Sequence, residues 1–212
     1  MKQFIQTRNA LVAAKVIKGL ESRNMKGYFV GNKEAAVVQA MELITEGSSI
    51  GWGGSMTVDA SGIKQVLSAG NYHLIDRDKA TSQEEVDRLV RECFSADYFL
   101  TSSNAISEDG ILVNIDGNSN RVAAICFGPK KVIMMVGMNK VVKTEGDALS
   151  RARSIAAPIN AQRFSIQTPC KHTGSCTNCL SEDTICCQFL TTRFSKHADR
   201  IHVILIDESI GF

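Results

Sequence analysis

The cysteines are the most crowded group of reactive side chains in this sequence. Five of the seven, Cys170, Cys176, Cys179, Cys186 and Cys187, follow one another in the spacing C-x5-C-x2-C-x6-C-C. A pair separated by two residues can direct both sulfurs at one metal, and four thiolates complete the coordination of zinc or of an iron–sulfur cluster. The spacing therefore predicts a metal site, with zinc and iron–sulfur left as alternatives.

The predicted ligand set has four members: Cys170, Cys176, Cys179 and Cys186. Cys187 is the alternative to Cys186, because adjacent side chains in an extended chain point in opposite directions and only one of them ligates. His172 is interpreted as a surface residue beside a full set of cysteines. Disulfides are a competing explanation that a reducing compartment disfavours. Cys93 and Cys126 lie far from this cluster in sequence and are predicted to be small core residues.

A glycine-rich segment, Gly-Trp-Gly-Gly-Ser at 51–55, stands between a predicted strand and a predicted helix. Glycines let the backbone approach a ligand closely, and the free N–H groups at a helix start attract anions. The glycine spacing matches neither the dinucleotide nor the Walker pattern. A tight turn without a ligand is the alternative interpretation. The anion-binding residues predicted here are Gly51, Gly53, Gly54, Ser55 and Thr57.

A second polar segment, residues 101–110, follows the predicted strand Tyr98 to Thr101, at the strand end where open α/β sheets bind ligands. Asn104 is predicted to contact a hydroxyl or carboxylate of the ligand, and Glu108 is the candidate catalytic residue, as a general base or a nucleophile. A turn-rich loop without a ligand is the alternative.

Asp116 and Arg121 flank a predicted hairpin turn and complete the ligand-binding candidates. A surface pair bridging the turn is the competing interpretation, and such a pair adds little to stability.

The elements that position these residues alternate over the first half of the chain. Helical periodicity predicts helices at 3–24, after Asn32, at 57–68 and at 83–94, separated by strands at 28–30, 49–50, 72–75 and 98–101. Strands separated by single helices pair in parallel and bury their faces under helices on both sides. The alternation predicts a doubly wound α/β fold.

The second half of the chain does not show this alternation of strands and helices. Residues 111–115, 121–127 and 131–136 are predicted as strands joined by short connections, which indicates an antiparallel hairpin excursion. A helix at 145–155 or somewhat beyond, whose regular continuation Pro158 limits, is followed by an irregular cysteine segment at 168–187 and a buried strand at 200–206. We predict a single α/β domain over 1–212, a three-layer α/β/α sandwich whose sheet is mostly parallel.

Four segments together resemble the LUD (lactate-utilisation) domain family: 51–55, Thr-Ser-Ser-Asn-Ala-Ile-Ser-Glu-Asp-Gly at 101–110, Leu-Val-Asn-Ile-Asp-Gly-Asn-Ser-Asn-Arg-Val-Ala at 112–123, and Thr-Pro-Cys to Cys at 168–186. The resemblance implies a fold shared with sugar-phosphate isomerases, glucosamine-phosphate deaminases and CoA transferases. It further implies that Gly53, Gly54 and Ser55 line an anion pocket, with Asn104 and Glu108 on its reactive side. The four predicted cysteine ligands match those of short LUD proteins.

Composition excludes several classes of partner. The chain has 24 basic and 22 acidic residues and no basic block, which argues against nucleic-acid binding and against a polybasic membrane surface. Neither a signal-peptide core nor a run of apolar residues long enough to span a membrane is present. We therefore expect a cytoplasmic protein that binds a small anionic ligand, with a homodimer as a further candidate assembly.

Three functions remain open. The resemblance implies a role in lactate utilisation, supporting the oxidation of lactate to pyruvate, with an iron–sulfur or flavoprotein partner that passes electrons. The second is a stand-alone isomerase, deaminase or CoA transferase that uses the glycine segment for a phosphorylated or CoA-linked substrate and Glu108 for the chemistry. The third is a non-catalytic assembly protein whose cysteine segment holds a structural zinc.

Overall fold

The computed structural model describes residues 1–212 and contains ten strands and nine α-helices. The strands are β1 Lys26–Val30, β2 Ser49–Trp52, β3 His73–Ile75, β4 Tyr98–Thr101, β5 Ala105–Ser107, β6 Leu112–Asp116, β7 Lys131–Gly137, β8 Val141–Val142, β9 Gln188–Thr192 and β10 Ile201–Ile206. The helices are α1 Lys2–Ser22, α2 Lys33–Leu43, α3 Met56–Ser61, α4 Ile63–Ser68, α5 Gln83–Glu92, α6 Asn120–Cys126, α7 Glu145–Arg151, α8 Ala157–Ala161 and α9 Pro169–Thr173.

Six strands form a central sheet in the order β1-β10-β7-β4-β2-β3, and every neighbouring pair is parallel. The four others form a second sheet in the order β8-β5-β6-β9, in which β6 runs antiparallel to both β5 and β9. The predicted α/β class, with a mostly parallel sheet and an antiparallel excursion, is confirmed.

The central sheet is buried on both faces, because its strands alternate their apolar side chains between two helical layers. On one face Met134 and Val203 pack with Val16 of α1 and Ile125 of α6. On the other face Met135 packs in a core with residues of α2, α3 and α4. The result is the three-layer sandwich expected from the sequence. No helix is long and apolar enough to cross a membrane.

The prediction of a strand at 121–127 is wrong, since this segment forms α6. The carboxylate Oδ2 of Asp116 accepts the backbone N–H groups of Arg121 and Val122 at 2.9 and 3.0 Å, which satisfies donors that a new helix leaves free. The β-branched residues Val122 and Ile125 then lie three apart on the buried face of the helix. The antiparallel partners of β6 are β5, which precedes it in the chain, and β9, which is distant from it in sequence.

Two predicted helices are less regular than expected. The helix predicted at 57–68 divides into α3 and α4 at Gly62, whose φ of 83° lies in the left-handed region that glycine tolerates. The helix predicted at 145–155 continues from α7 through a π-helical turn at Ala152–Ala156 into α8. Pro158 stands in the first turn of α8, a position that a helix tolerates, so the chain remains helical to Ala161.

Candidate functional site

A polar cleft lies at the carboxyl edge of the central sheet, between β2 and β4. Within this sheet, the strand that follows β2 in the chain is β3, which lies on one side of the cleft. The strands of this sheet that follow β4 are β7 and β10, which lie on the other side. Open α/β sheets bind ligands where strand order reverses in this way. The cleft has a volume of about 350 Å³.

Most of the predicted ligand-binding residues line this cleft, and each follows the end of a strand. Gly54, Ser55 and Thr57 follow β2, Asn104 follows β4, and Asp116 and Arg121 stand at the end of β6 and the start of α6. The structure brings these six predicted residues together, although they come from three separate segments of the sequence. Gly51 and Gly53 do not line the cleft.

The glycines of residues 51–55 leave room for neighbouring side chains. A Cβ at Gly53 would lie 3.3 Å from Cδ of Arg121, and a Cβ at Gly54 would lie 3.0 Å from Nη2 of Arg77. Gly51 contacts the buried Cys93, since a Cβ there would lie 2.5 Å from its sulfur. None of these three glycines has a positive φ. The segment is therefore rich in glycine because two arginines and a core cysteine approach its backbone.

The guanidinium of Arg121 connects β6 with the segment that follows β4. It donates to the backbone carbonyls of Ser102 and Ile115, at 3.2 and 2.7 Å, and to Oδ1 of Asn114 and Asn104, at 2.6 and 3.0 Å. Burial lowers the pKa of Arg121, but a guanidinium remains charged in proteins. Arg121 therefore brings a positive charge beneath the cleft and fixes the shape of its floor.

Asp116 has a structural role in addition to its position in the cleft. Its Oδ2 caps α6, and its backbone carbonyl accepts the N–H of Cys187 at 3.0 Å. Asp116 and Arg121 do not form the side-chain ion pair considered from the sequence, because Arg121 reaches the carboxylate through its backbone N–H.

Lys140, which was not identified from the sequence, is the most deeply buried charged side chain in the cleft. It is 2% exposed, and its Nζ donates to Oγ1 of Thr57 and Oγ of Ser102, at 2.8 and 3.0 Å. Burial, with the positive charges of Arg151 and Arg121, lowers its pKa from 10.5 to about 7. The buried guanidinium of Arg151 donates to the carbonyls of Asn139 and Asn104.

The charges of the cleft are strongly unbalanced. Arg77, Arg121, Lys140 and Arg163 line it, and Asp116 carries the only side-chain carboxylate among the lining residues. Burying a charge without a counter-charge costs free energy, so this arrangement is less stable empty than with an anion present.

The structure places Glu108 outside the cleft. Its carboxylate lies 2.9 Å from Nζ of Lys143 and 3.6 Å from Nζ of Lys15. The hydrogen bond from Lys143 lowers the pKa of Glu108, which keeps the side chain ionised. Glu108 therefore does not meet Asn104, the other residue that the family resemblance implied for the reactive side of the pocket.

The four predicted cysteine ligands line one small cavity of about 90 Å³. Cys187 does not line it, and its thiol instead lies 3.6 Å from the carbonyl of Thr184. Burial raises the pKa of the Cys186 thiol to about 11, and the other clustered cysteines add to this effect. In the present side-chain positions no group of three or more His, Cys, Asp or Glu residues has the spacing to hold a metal ion.

Cys93, Cys126 and His172, which were not predicted as metal ligands, lie outside this cavity. Cys93 is buried, as predicted, whereas Cys126 is exposed, because it ends α6 and does not lie in a strand. His172 is exposed and lies 2.9 Å from Oε1 of Gln167.

The cleft and the cysteine cavity share a wall. Thr184 and Ile185 line both, and the backbone of Ile185 lies 3.2 Å from the position of a Cβ at Gly117. The cysteine segment therefore closes one side of the cleft, although its sequence position is far from the two loops at the strand ends.

Lys140 and Arg77 could have been predicted as cleft residues from their positions after predicted strands. Each follows a parallel strand, β7 or β3, at the edge where the cleft lies. Arg163, Phe164 and the Thr184–Ile185 wall carried no such signal, because irregular chain brings them to the cleft.

The comparisons with known proteins agree with this fold. The LUD domain model matches residues 13–206. A solved crystal structure of a DUF162 family protein from Deinococcus radiodurans is similar with a TM-score of 0.53 at 14% identity, over 93% of this chain and 98% of that one. None of the curated proteins matches. Because the family model covers most of the sequence, the chain belongs to the LUD domain family.

Proposed function

We propose that the cleft binds a small anion, a carboxylate or a phosphorylated or CoA-linked compound, and that the protein acts in lactate utilisation. The observation that carries the first part is the buried cation Lys140, which lines the cleft together with Arg121 and has Arg151 nearby as a further positive charge. Membership in the LUD family supports the second part at the level of the family. A role beside an iron–sulfur or flavoprotein partner in the oxidation of lactate to pyruvate is part of this proposal.

The chemistry of the lining supports an anion. Besides the four cations, the cleft offers the polar side chains of Asn118, Asn120 and Asn160. Amide and guanidinium donors suit the oxygens of carboxylates and phosphates. With Glu108 outside the cleft, a stand-alone enzyme that uses this residue as its base finds no support in the geometry.

A panel of inorganic phosphate, CoA, lactate and pyruvate tests anion binding through the melting temperature. Saturation to about 100 Kd adds about 2.7 kcal/mol, or roughly 5–10 °C for a domain of this size. Gly54→Val is expected to at least halve the shift, because the new side chain meets Arg77 at the cleft. Gly31→Val is the matched control, since a Cβ at Gly31 meets nothing within 4 Å.

The panel also discriminates between the candidate substrates. A response to lactate or pyruvate alone favours lactate utilisation, and a response to phosphate or CoA favours an enzyme of the isomerase or transferase type. The same shift in Gly54→Val as in Gly31→Val, or no shift with any compound, contradicts the proposed cleft.

The proposal includes a metal site at the cysteine cavity. Cys170, Cys176, Cys179 and Cys186 surround one cavity, and four thiols are a donor set that suits zinc or an iron–sulfur cluster. Zinc would hold the irregular segment at 168–187 in place, and a cluster would carry electrons beside the cleft. The shared wall of Thr184 and Ile185 supports a coupling between the two sites.

Cysteine variants test the ligand set. Cys179→Ser is expected to lose most of the bound metal, whereas Cys187→Ser, at an exposed cysteine outside the cavity, is expected to keep it. Metal analysis and absorption spectra of protein prepared without oxygen measure both outcomes and separate colourless zinc from coloured iron–sulfur protein. Metal loss from Cys187→Ser but not from Cys179→Ser would contradict the assignment.

A further inference from the structure

The hydrogen bonds of Lys140 suit a neutral amine better than an ammonium ion. Oγ1 of Thr57 lies 3.4 Å from the carbonyl of Ile210, and Oγ of Ser102 lies 3.3 Å from the carbonyl of Ser103. Each hydroxyl can donate its own proton to a carbonyl and accept one N–H of Lys140. A neutral amine that donates both of its N–H groups in this way keeps its lone pair unshared.

The charges around Lys140 also favour the neutral form. Arg121 and Arg151 are the charged groups that act on the amine, and both are cations. Burial and these two charges lower the pKa of Lys140 to about 7, so about half of the molecules carry the neutral amine at neutral pH. A desolvated lysine beside another cation is an activated nucleophile.

We infer that Lys140 forms an imine with a small carbonyl compound that carries a carboxylate, such as a 2-oxo acid. The inference rests on the proposed anion-binding cleft, because the cations of the lining would hold the carboxylate. The amine that lines the same cleft then meets the neighbouring carbonyl carbon. A carbonyl acid thus uses both the positive charge and the nucleophile that the cleft provides.

The reaction balances without an oxidant or a reductant. The lone pair of the Lys140 nitrogen forms the new C–N bond, and the electrons of the carbonyl π bond move to oxygen, which takes a proton as the nitrogen loses one. The hydroxyl of the carbinolamine then takes up one proton from the solvent and leaves as water, as the nitrogen lone pair forms the C=N bond. The product is a protonated imine between Lys140 and the acid.

Reductive trapping tests this inference. The intact protein is treated with glyoxylate, the smallest 2-oxo acid, and cyanoborohydride at pH 7, and peptide mass mapping locates the added carboxymethyl group. Lys140 is expected to react at least about 10-fold faster than the exposed Lys18 on α1, because burial beside two cations favours the nucleophilic neutral amine of Lys140. Lys140→Met is expected to lose this fast labelling. Oxalate, a carboxylate without a reactive carbonyl, is expected to compete.

The outcomes separate the imine from the anion site. If oxalate raises the melting temperature but Lys140 reacts no faster than Lys18, the imine is overturned and the anion-binding cleft stands. If oxalate and glyoxylate both leave the melting temperature unchanged and Lys140 is not labelled, both proposals fail. Labelling of Lys140 that rises with pH to a midpoint near 7 supports the imine.

Discussion

Replacement of Lys140 by methionine is expected to stabilise the protein by about 3 kcal/mol at pH 7 while it weakens anion binding. A fall in pKa from 10.5 to about 7 corresponds to about 5 kcal/mol of unfavourable free energy for the buried ammonium. Methionine has a similar length and no charge, so it removes this cost. It also removes the hydrogen bonds to Thr57 and Ser102, which are worth about 1 kcal/mol each.

The gain in stability is expected to depend on pH. In the unfolded chain Lys140 has its ordinary pKa, so between about pH 7 and 10.5 the unfolded state binds more protons than the folded state. The free energy of unfolding of the wild-type protein therefore rises with pH across this window through Lys140, and the contribution is constant below it. The variant lacks this rise, so its advantage falls to near zero at pH 9.5.

Urea unfolding at pH 7 and pH 9.5 measures both effects. The exposed Lys18→Met on α1 is the control, and it is expected to change the free energy of unfolding by less than about 0.5 kcal/mol at either pH. A destabilised Lys140→Met at pH 7 would show that the amine is well solvated or paired in the folded protein. A variant that is both more stable and less able to bind anions would indicate that the lysine is retained for function.

Arg121→Met is expected to have the opposite effect and to destabilise the protein by about 3–5 kcal/mol. Arg121 donates to four acceptors, whereas Lys140 donates to two, and the amide oxygen of the fully buried Asn114 is one of the four. Removal leaves Oδ1 of the buried Asn114 without a donor and takes away one donor each from the other three acceptors, which costs more than the relief of one buried charge. Arg121→Lys is expected to recover little of the lost stability, because a lysine ammonium does not present donors to all four acceptors as the planar guanidinium does.

Thermal and urea unfolding measure this loss, with Arg163→Met as the matched control. Arg163 lines the same cleft but is exposed and donates to Oδ1 of Asn160 at 3.1 Å, so its loss is expected to cost less than about 1 kcal/mol. Equal and small effects of the two substitutions would mean that water from the cleft satisfies the acceptors of Arg121.

The segment at 121–127 shows where prediction from the sequence failed and why. Val122, Ile125 and Phe127 suit a strand by composition, but the capping contact of Asp116 starts a helix instead. The contact that decides between strand and helix joins Asp116 to backbone N–H groups. Because nearly every residue has such a group, the residue types of 121–127 do not predict the contact. The same limit applies to Glu108, whose residue type suits catalysis but whose carboxylate pairs with Lys143 and Lys15 outside the cleft.

The sequence by itself determined the α/β class, the strand ends that carry polar residues, and the family. Periodicity, turn residues and motifs are properties of short segments, so they can be recognised from the sequence alone. The tertiary structure alone decided the burial of Lys140 between Arg121 and Arg151, and the wall of Thr184 and Ile185 that joins the cysteine cavity to the cleft. These features depend on contacts between distant segments, because burial and neighbouring charge, not residue type, set the chemistry of an amine.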